Sequence, residues 1–158
     1  MARVKVDVPE KPLFVAEIPV RITDINYGGH LGNDALLSIL HEARVQFLSR
    51  FGWSEADIGG VGIMMTDAVL VYGSEVRYGE SLSVEVGLTE VRASGADVSY
   101  RVLSQGREVA RAKTGIVFYD YTRRRIARTP EGSERCLGTE AEPALRLRPG
   151  LQSRVVSW

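Results

Sequence analysis

From residue 61 onward the chain alternates between apolar and polar positions. Leu82, Val84, Val86 and Leu88 are separated by Ser81, Ser83, Glu85, Gly87 and Thr89. This period of two gives a strand with one apolar face and one polar face. Val98, Tyr100 and Val102 repeat it against Ser99 and Arg101, and Ala110, Ala112, Ile116 and Phe118 line one face of a further long strand. Val61 to Tyr72 is apolar and mostly continuous, a fourth strand. Turn-forming stretches separate these runs at Tyr78-Gly79-Glu80, Ala93-Ser94-Gly95 and Ser104-Gln105-Gly106. Upstream, Leu13 to Ile22 predicts a strand rich in Val and Ile. Pro19 inside it has no N–H for a ladder, which places it at an edge or a bulge.

Between the first strand and the rest the period changes. Thr23 to Asn33 is a loop with three glycines and several short polar residues. Asp34 to Phe51 then predicts the one long helix: Leu36, Leu40, Ala43, Phe47 and Phe51 recur at helical spacing, and Leu37 and Leu48 widen the stripe. Asn33 is the expected N-cap, Asp34 suits the positive end of the helix dipole, and Gly52 is the expected C′ residue. A helix with so broad an apolar stripe needs a wide surface to lie on. The order strand, loop, helix and four short-turned strands is therefore an α+β arrangement, an antiparallel sheet wrapped around one long central helix.

The chain has 158 residues, enough for one domain, which is expected over residues 1–132. Pro130, Gly132, Pro143, Pro149 and Gly150 break any long element beyond it, so residues 133–158 form a C-terminal extension of unknown role. Hydrophobic residues make up 44% and charged residues 25%, and twenty Lys and Arg offset twenty Asp and Glu. That balance excludes a global field favouring nucleic acid or an anionic membrane. The densest basic stretch is Arg123 to Arg125 with Arg128 close behind. The single cysteine, Cys136, excludes an intramolecular disulfide and a cysteine-based zinc site. Met1 to Lys11 lacks the apolar core of a signal peptide, and no apolar run reaches the ~20 residues that cross a bilayer, so a cytoplasmic location is expected.

Three segments carry a resemblance. Asp24-Ile25-Asn26-Tyr27-Gly28-Gly29-His30-Leu31-Gly32-Asn33 resembles the Asp-x-Asp-x-x-x-His-Val-Asn-Asn loop of hotdog-fold thioesterases, among them the 4-hydroxybenzoyl-CoA thioesterase group and the plant acyl-ACP thioesterases. His41-Glu42-Ala43-Arg44 is similar to the Glu-Glu-Ala-Arg segment of their helix, and Arg77-Tyr78-Gly79-Glu80 to their Arg-Tyr-Gly-Asp turn. The likeness spans about Ile18 to Glu131, with its parts in the family's order. It implies the hotdog fold and hydrolysis of an acyl-CoA or acyl-carrier thioester with no metal and no cofactor. It also implies a homodimer or homotetramer with its active site at the subunit interface.

Such hydrolysis needs donors for a developing oxyanion, a base or nucleophile, and a mooring for the coenzyme phosphates. Backbone N–H groups from Leu31 to Asp34, where the glycine-bearing loop enters the helix, are the expected donors. Asn26 stands where many relatives carry a catalytic aspartate, and an amide cannot act as a general base. This departure leaves two readings, a thioesterase and a hotdog protein that binds thioesters without cleaving them. A hydratase reading lacks its paired Asp and His motif. A second arrangement in the superfamily puts an amide in the loop and a carboxylate about two turns into the helix. On that pattern Asn26 orients water or carbonyl and Glu42 is base or nucleophile, with His41 competing, since one residue is about 100° of rotation. His30 and Asn33 complete the candidate catalytic set. Asp24, Gly28, Gly29, Leu31, Asp67 and Arg77 are candidate substrate contacts, with the Arg123 to Arg128 cluster as a further phosphate mooring. Met64, Met65 and Tyr72 are read as core or as the lining of an acyl tunnel.

Overall fold

The structure is a computed structural model that describes residues 4–133. Its elements are β1 (Phe14–Pro19), a 3-10 turn (Ile22–Asp24), α1 (Asn33–Ser49), β2 (Gly62–Tyr72), β3 (Ser81–Arg92), β4 (Gly95–Ser104), β5 (Arg107–Asp120) and β6 (Arg125–Ile126). All pair antiparallel in one sheet of order β1-β3-β4-β5-β2, with β6 added to the end of β5. This is the hotdog fold, a single long helix packed against a curved antiparallel sheet. β3, β4 and β5 follow one another through the short turns their sequence announces. β1 and β2 lie at opposite edges because the helix crosses between them.

β1 is shorter than its Leu13–Ile22 pattern. It ends at Pro19, paired to Ser81, on a strand whose neighbour in the sheet is β3. The edge position expected from the proline is the one found, and the chain then turns into Ile22–Asp24. α1 begins one residue earlier than expected and stops at Ser49. Asn33 is its first helical residue, and the N-cap is Gly32, which brings no side chain to cap with. At the far end Arg50 is the C-cap, so Gly52, with φ of 74°, sits one residue beyond the expected C′ position.

The stripe on α1 packs as its spacing requires. Leu36, Leu40, Ala43 and Phe47 are buried with Val84, Val86, Val102 and Phe118 of the sheet, while Phe51 is only partly buried. Phe47 meets Phe14 at 6.1 Å between ring centroids and Phe51 at 5.5 Å. One charged side chain enters this layer. Arg44 is buried, its Nε donating to Glu55 Oε1 at 2.6 Å and a terminal nitrogen to Tyr100 Oη at 3.2 Å. Tyr100 Oη in turn lies 3.0 Å from Thr114 Oγ1. Every member of the set has a partner, as a buried cation requires.

The N-terminal segment crosses the opposite face of the sheet. Val6 is buried and its carbonyl accepts from Arg111 at 3.3 Å, and Pro9 lies over Gly87, where a Cβ would come within 2.7 Å of its ring. The expected C-terminal extension, apart from Ser133, and Cys136 lie outside the described residues. Among the described residues no helix is long and apolar enough to cross a membrane.

Leu40 and Val45 differ sharply in exposure, 0% against 40%. Leu40→Ala is expected to destabilise the fold by about 2–5 kcal/mol through lost burial and a residual cavity. Val45→Ala is expected to stay within ~0.5 kcal/mol of the parent. Urea unfolding of the two variants measures the difference.

Candidate active site

The loop before α1 is held by its own polar groups. Asp24 is buried; its carboxylate accepts from the Arg21 backbone at 2.8 Å and the Arg21 guanidinium at 3.3 Å, and its carbonyl accepts from Gly32 N at 2.8 Å. Asp24 therefore braces the loop from beneath. Asn26 organises the tip: its N–H donates to His30 O at 2.7 Å, and its side-chain oxygen accepts from Gly28 N at 3.0 Å and His30 N at 3.2 Å. Two backbone donors on one amide oxygen fix which end of the side chain is which. Nδ2 is thus the end of the Asn26 side chain not used by these bonds. Gly29 turns with φ of 84°, a conformation that other residues seldom adopt, and Tyr27 stands fully exposed at the tip.

The helix entrance corrects one expectation. Leu31 N donates to Val76 O at 2.8 Å and Gly32 N to Asp24 O, so neither amide is available to a ligand. The first helical acceptor is Gly32 O, bonded by Leu36 N at 3.2 Å. The amides of Asn33, Asp34 and Ala35 belong to the turn that has no intrahelical acceptor, and the glycine cap supplies none. A Cβ on Gly32 would lie 2.8 Å from Oδ1 of the exposed Asp34 side chain, which can swing aside, and 3.5 Å from the Asp24 carbonyl oxygen, an ordinary contact.

These groups border a depression of about 350 Å³ whose lining includes Asn26, His30, Asn33, Tyr72, Glu75 and Val76. His30 Nε2 lies 3.0 Å from Glu75 Oε2, and Tyr72 Oη donates to Asn33 O at 3.0 Å. Burial and the neighbouring Asp34 charge push the Tyr72 hydroxyl above its ordinary value, so it stays a neutral donor. Leu31 and Asn26 are thus brought together with His30 and Asn33 in one lining.

Apart from Tyr72, the remaining candidates lie outside this lining. Asp67 sits beside the bulge in β2, exposed, with Lys113 Nζ at 3.4 Å. Arg77 is exposed on the turn before β3, directly after Val76. Glu42 is exposed, accepts from Gln46 at 2.8 Å and lines a depression shared with Glu17, Arg21 and His41. Met64, Met65 and Tyr72, read from sequence as core or tunnel lining, are exposed along β2, the edge strand.

A further depression, of about 400 Å³, flanks the middle of α1, lined by Leu37, His41, Arg44, Glu55, Ile63 and Met65. Here His41 Nε2 lies 2.8 Å from Glu55 Oε2, while Glu55 Oε1 holds Arg44. Burial acts to raise the Glu55 carboxyl, but the bonds from Arg44 and His41 outweigh it and hold the group below the ordinary carboxylate range. Sequence reasoning missed Glu55. It follows the helix by six residues, with no periodicity or motif to link it to His41.

Comparison with known proteins decides the family. The model of the thioesterase-like superfamily matches residues 20–137. The chain belongs to that superfamily. Among solved structures it is similar to a 1,4-dihydroxy-2-naphthoyl-CoA thioesterase from Synechocystis, with 22% identity, TM-score 0.74, and coverage of 82% of this chain and 98% of that one. A hypothetical protein from Thermus thermophilus is 28% identical, with TM-score 0.71 and coverage of 78% and 95%. A thioesterase from the same organism, solved with coenzyme A and Zn, is 22% identical, with TM-score 0.71 and coverage of 82% and 95%. No curated protein matches the sequence.

The depressed Glu55 carboxyl carries a stability consequence. A group whose folded-state pKa lies below its unfolded one stabilises the fold above the unfolded value and loses that effect as pH falls through the folded value. The stability difference between the parent and Glu55→Gln is therefore expected to be full near pH 7 and to shrink as pH falls below the ordinary carboxyl value of 4.5. Denaturant unfolding of both proteins across pH 3–7 measures it.

Proposed function

We propose that the protein hydrolyses the thioester of an acyl-CoA or acyl carrier to free acid and thiol, without a metal, at the loop Asp24 to Asn33. The observation that carries this reading is the N-terminus of α1 without a side-chain cap in one depression with Asn26, whose side-chain oxygen is bound within the loop. A carbonyl oxygen seated in the Asn26–Asn33 depression would meet the Asn33 amide, the positive end of the helix dipole and the Asn26 amide nitrogen. Gly28, Gly29 and Leu31 shape that seat. His30, held by Glu75, supports its wall. Arg77 beside Val76 and the arginines from Arg123 to Arg128 are the candidates to moor phosphate.

The base must come from further along α1. His41 and Glu42 lie eight and nine residues after Asn33, roughly 12–14 Å along the axis at ~1.5 Å per residue. Within one protomer neither can serve a carbonyl held at the helix entrance. A second copy resolves the distance. β2 has β5 on one side and an open edge on the other, with exposed Met64 and Met65 along it. The end of β2 lies by the helix entrance, through Tyr72 and Asn33, and its start lies by the second depression, through Ile63 and Met65. Antiparallel pairing of two β2 edges about a two-fold axis would therefore bring the first depression of one copy toward the second depression of the other. It would also close an exposed sheet edge. The functional unit proposed is a homodimer, or a homotetramer of such dimers.

The test is release of free thiol from a panel of short, long and aromatic acyl-CoAs. Turnover is expected, and Asn26→Ala is expected to lower kcat by ~10²–10³-fold, the effect of removing one oxyanion donor. Binding of acyl-CoA without turnover across the panel would favour instead the non-hydrolytic binder that Asn26 raises.

A further inference from the structure

The geometry points to a His41–Glu55 pair as the water-activating element of this site, with His41 as the catalytic base and Glu55 as its positioning residue. The inference rests on the hydrolase reading above and adds to it a residue outside every recognised segment of the sequence. It is carried by the contacts of three side chains from two parts of the chain. Glu55, in the connection between α1 and β2, accepts from Arg44 Nε on one oxygen and faces His41 Nε2 on the other, at 2.6 and 2.8 Å. Arg44 is buried and further anchored by Tyr100, which is anchored by Thr114. The imidazole is thus tied to the core through a chain of bonds.

That chain also assigns the tautomer. A carboxylate that already holds a guanidinium is an acceptor only, so the contact requires His41 Nε2 to carry the proton. In the neutral ring the lone pair then resides on Nδ1. An exposed imidazole with one nitrogen fixed by a buried-anchored carboxylate and the other unprotonated has the layout of a general base. Its surroundings are mixed: Ile63, Met65 and Ile116 from the sheet are apolar. The charged groups around it are Arg44 and Glu42 on its own helix, Glu55 from the connection, and Glu17 and Arg21 across the neighbouring depression. Glu42, the competing candidate, is bonded to Gln46 and lines the depression of Glu17 and Arg21, which His41 borders too. His41 alone of the two also lines the depression that reaches β2 at Ile63 and Met65.

The step balances without any further reactant. Nδ1 takes a proton from water as the water oxygen bonds to the thioester carbon, and the carbonyl oxygen becomes an oxyanion. Collapse re-forms the carbonyl and breaks the carbon–sulfur bond, and the imidazolium returns the proton to the departing thiolate. Acid and thiol are the products, and His41 is restored.

The experiment is steady-state hydrolysis of the best acyl-CoA by the full chain and by His41→Gln, Glu55→Gln and Glu42→Gln, each across pH 5–9. His41 is 56% exposed, so its substitution spares the core. His41→Gln is expected to lower kcat by ~10²–10⁴-fold with KM little changed. Glu55→Gln is expected to keep part of the rate and to move the acid limb of its pH profile to lower pH, because an imidazolium loses a facing negative charge. A merely structural Glu55 would alter the amount of folded protein and leave that limb in place, which would overturn its positioning role. Should Glu55→Gln fail to fold, the nitrogen chemical shifts of His41 in the parent decide the tautomer, and protonation at Nδ1 would overturn the pair. Full activity in His41→Gln, or a larger loss in Glu42→Gln, would overturn the base while leaving the hydrolase reading intact. Absence of turnover in the parent would overturn both.

Discussion

The burial of α1 against the concave sheet is the constraint on which the rest depends. Leu36, Leu40, Ala43 and Phe47 lock the helix in one orientation, and that orientation decides where each end of it falls. Its first turn is held at the end of β2, beside Tyr72, and its middle faces the start of the same strand, at Ile63 and Met65. The amides of the helix entrance and the His41–Glu55 pair, the proposed oxyanion donors and proton-moving groups, are thereby laid out along one open edge. A helix rotated by one residue would present neither, since each residue turns it by about 100°.

Local chemistry completes the arrangement at each end. At the helix entrance a glycine cap leaves amides without a side-chain acceptor, while Asp24 and Asn26 satisfy the loop around them. In the middle of the helix a buried guanidinium orders an acid that in turn orders an imidazole. A buried cation is costly unless fully bonded, and this one has acceptors in both Glu55 and Tyr100. The bonds that fix Glu55 beside His41 thus serve the folding energetics of Arg44 as well.

Much of the architecture was legible in the residue pattern. Alternation in β3, β4 and β5 and the helical stripe of α1 are direct consequences of which face is buried, so both elements and fold class follow from them. The ends were less legible. Asn33 has the side chain of a good N-cap, yet it is helical, because Gly32 is drawn onto the Asp24 carbonyl by a tertiary contact that no local propensity encodes. Met64 and Met65 read as core or as a tunnel lining from the apolar run of β2, whereas their exposure depends on β2 being an edge, a property of the whole sheet. Asn26, His30 and Asn33 were legible as candidates because they fall in one recognisable loop. Glu55 was not, since its partnership with His41 is made by the return of the chain after the helix.

The proposed site draws its oxyanion donors from one copy and its base from another. Mixing two inactive variants, Asn26→Ala and His41→Gln, after reversible dissociation tests it directly. If the site spans two copies, random reassociation gives half mixed dimers, each with one intact site of two, and activity recovers to about a quarter of the parent's in a two-fold dimer. Mixed dimers that form and remain as inactive as the separate variants would contradict the account.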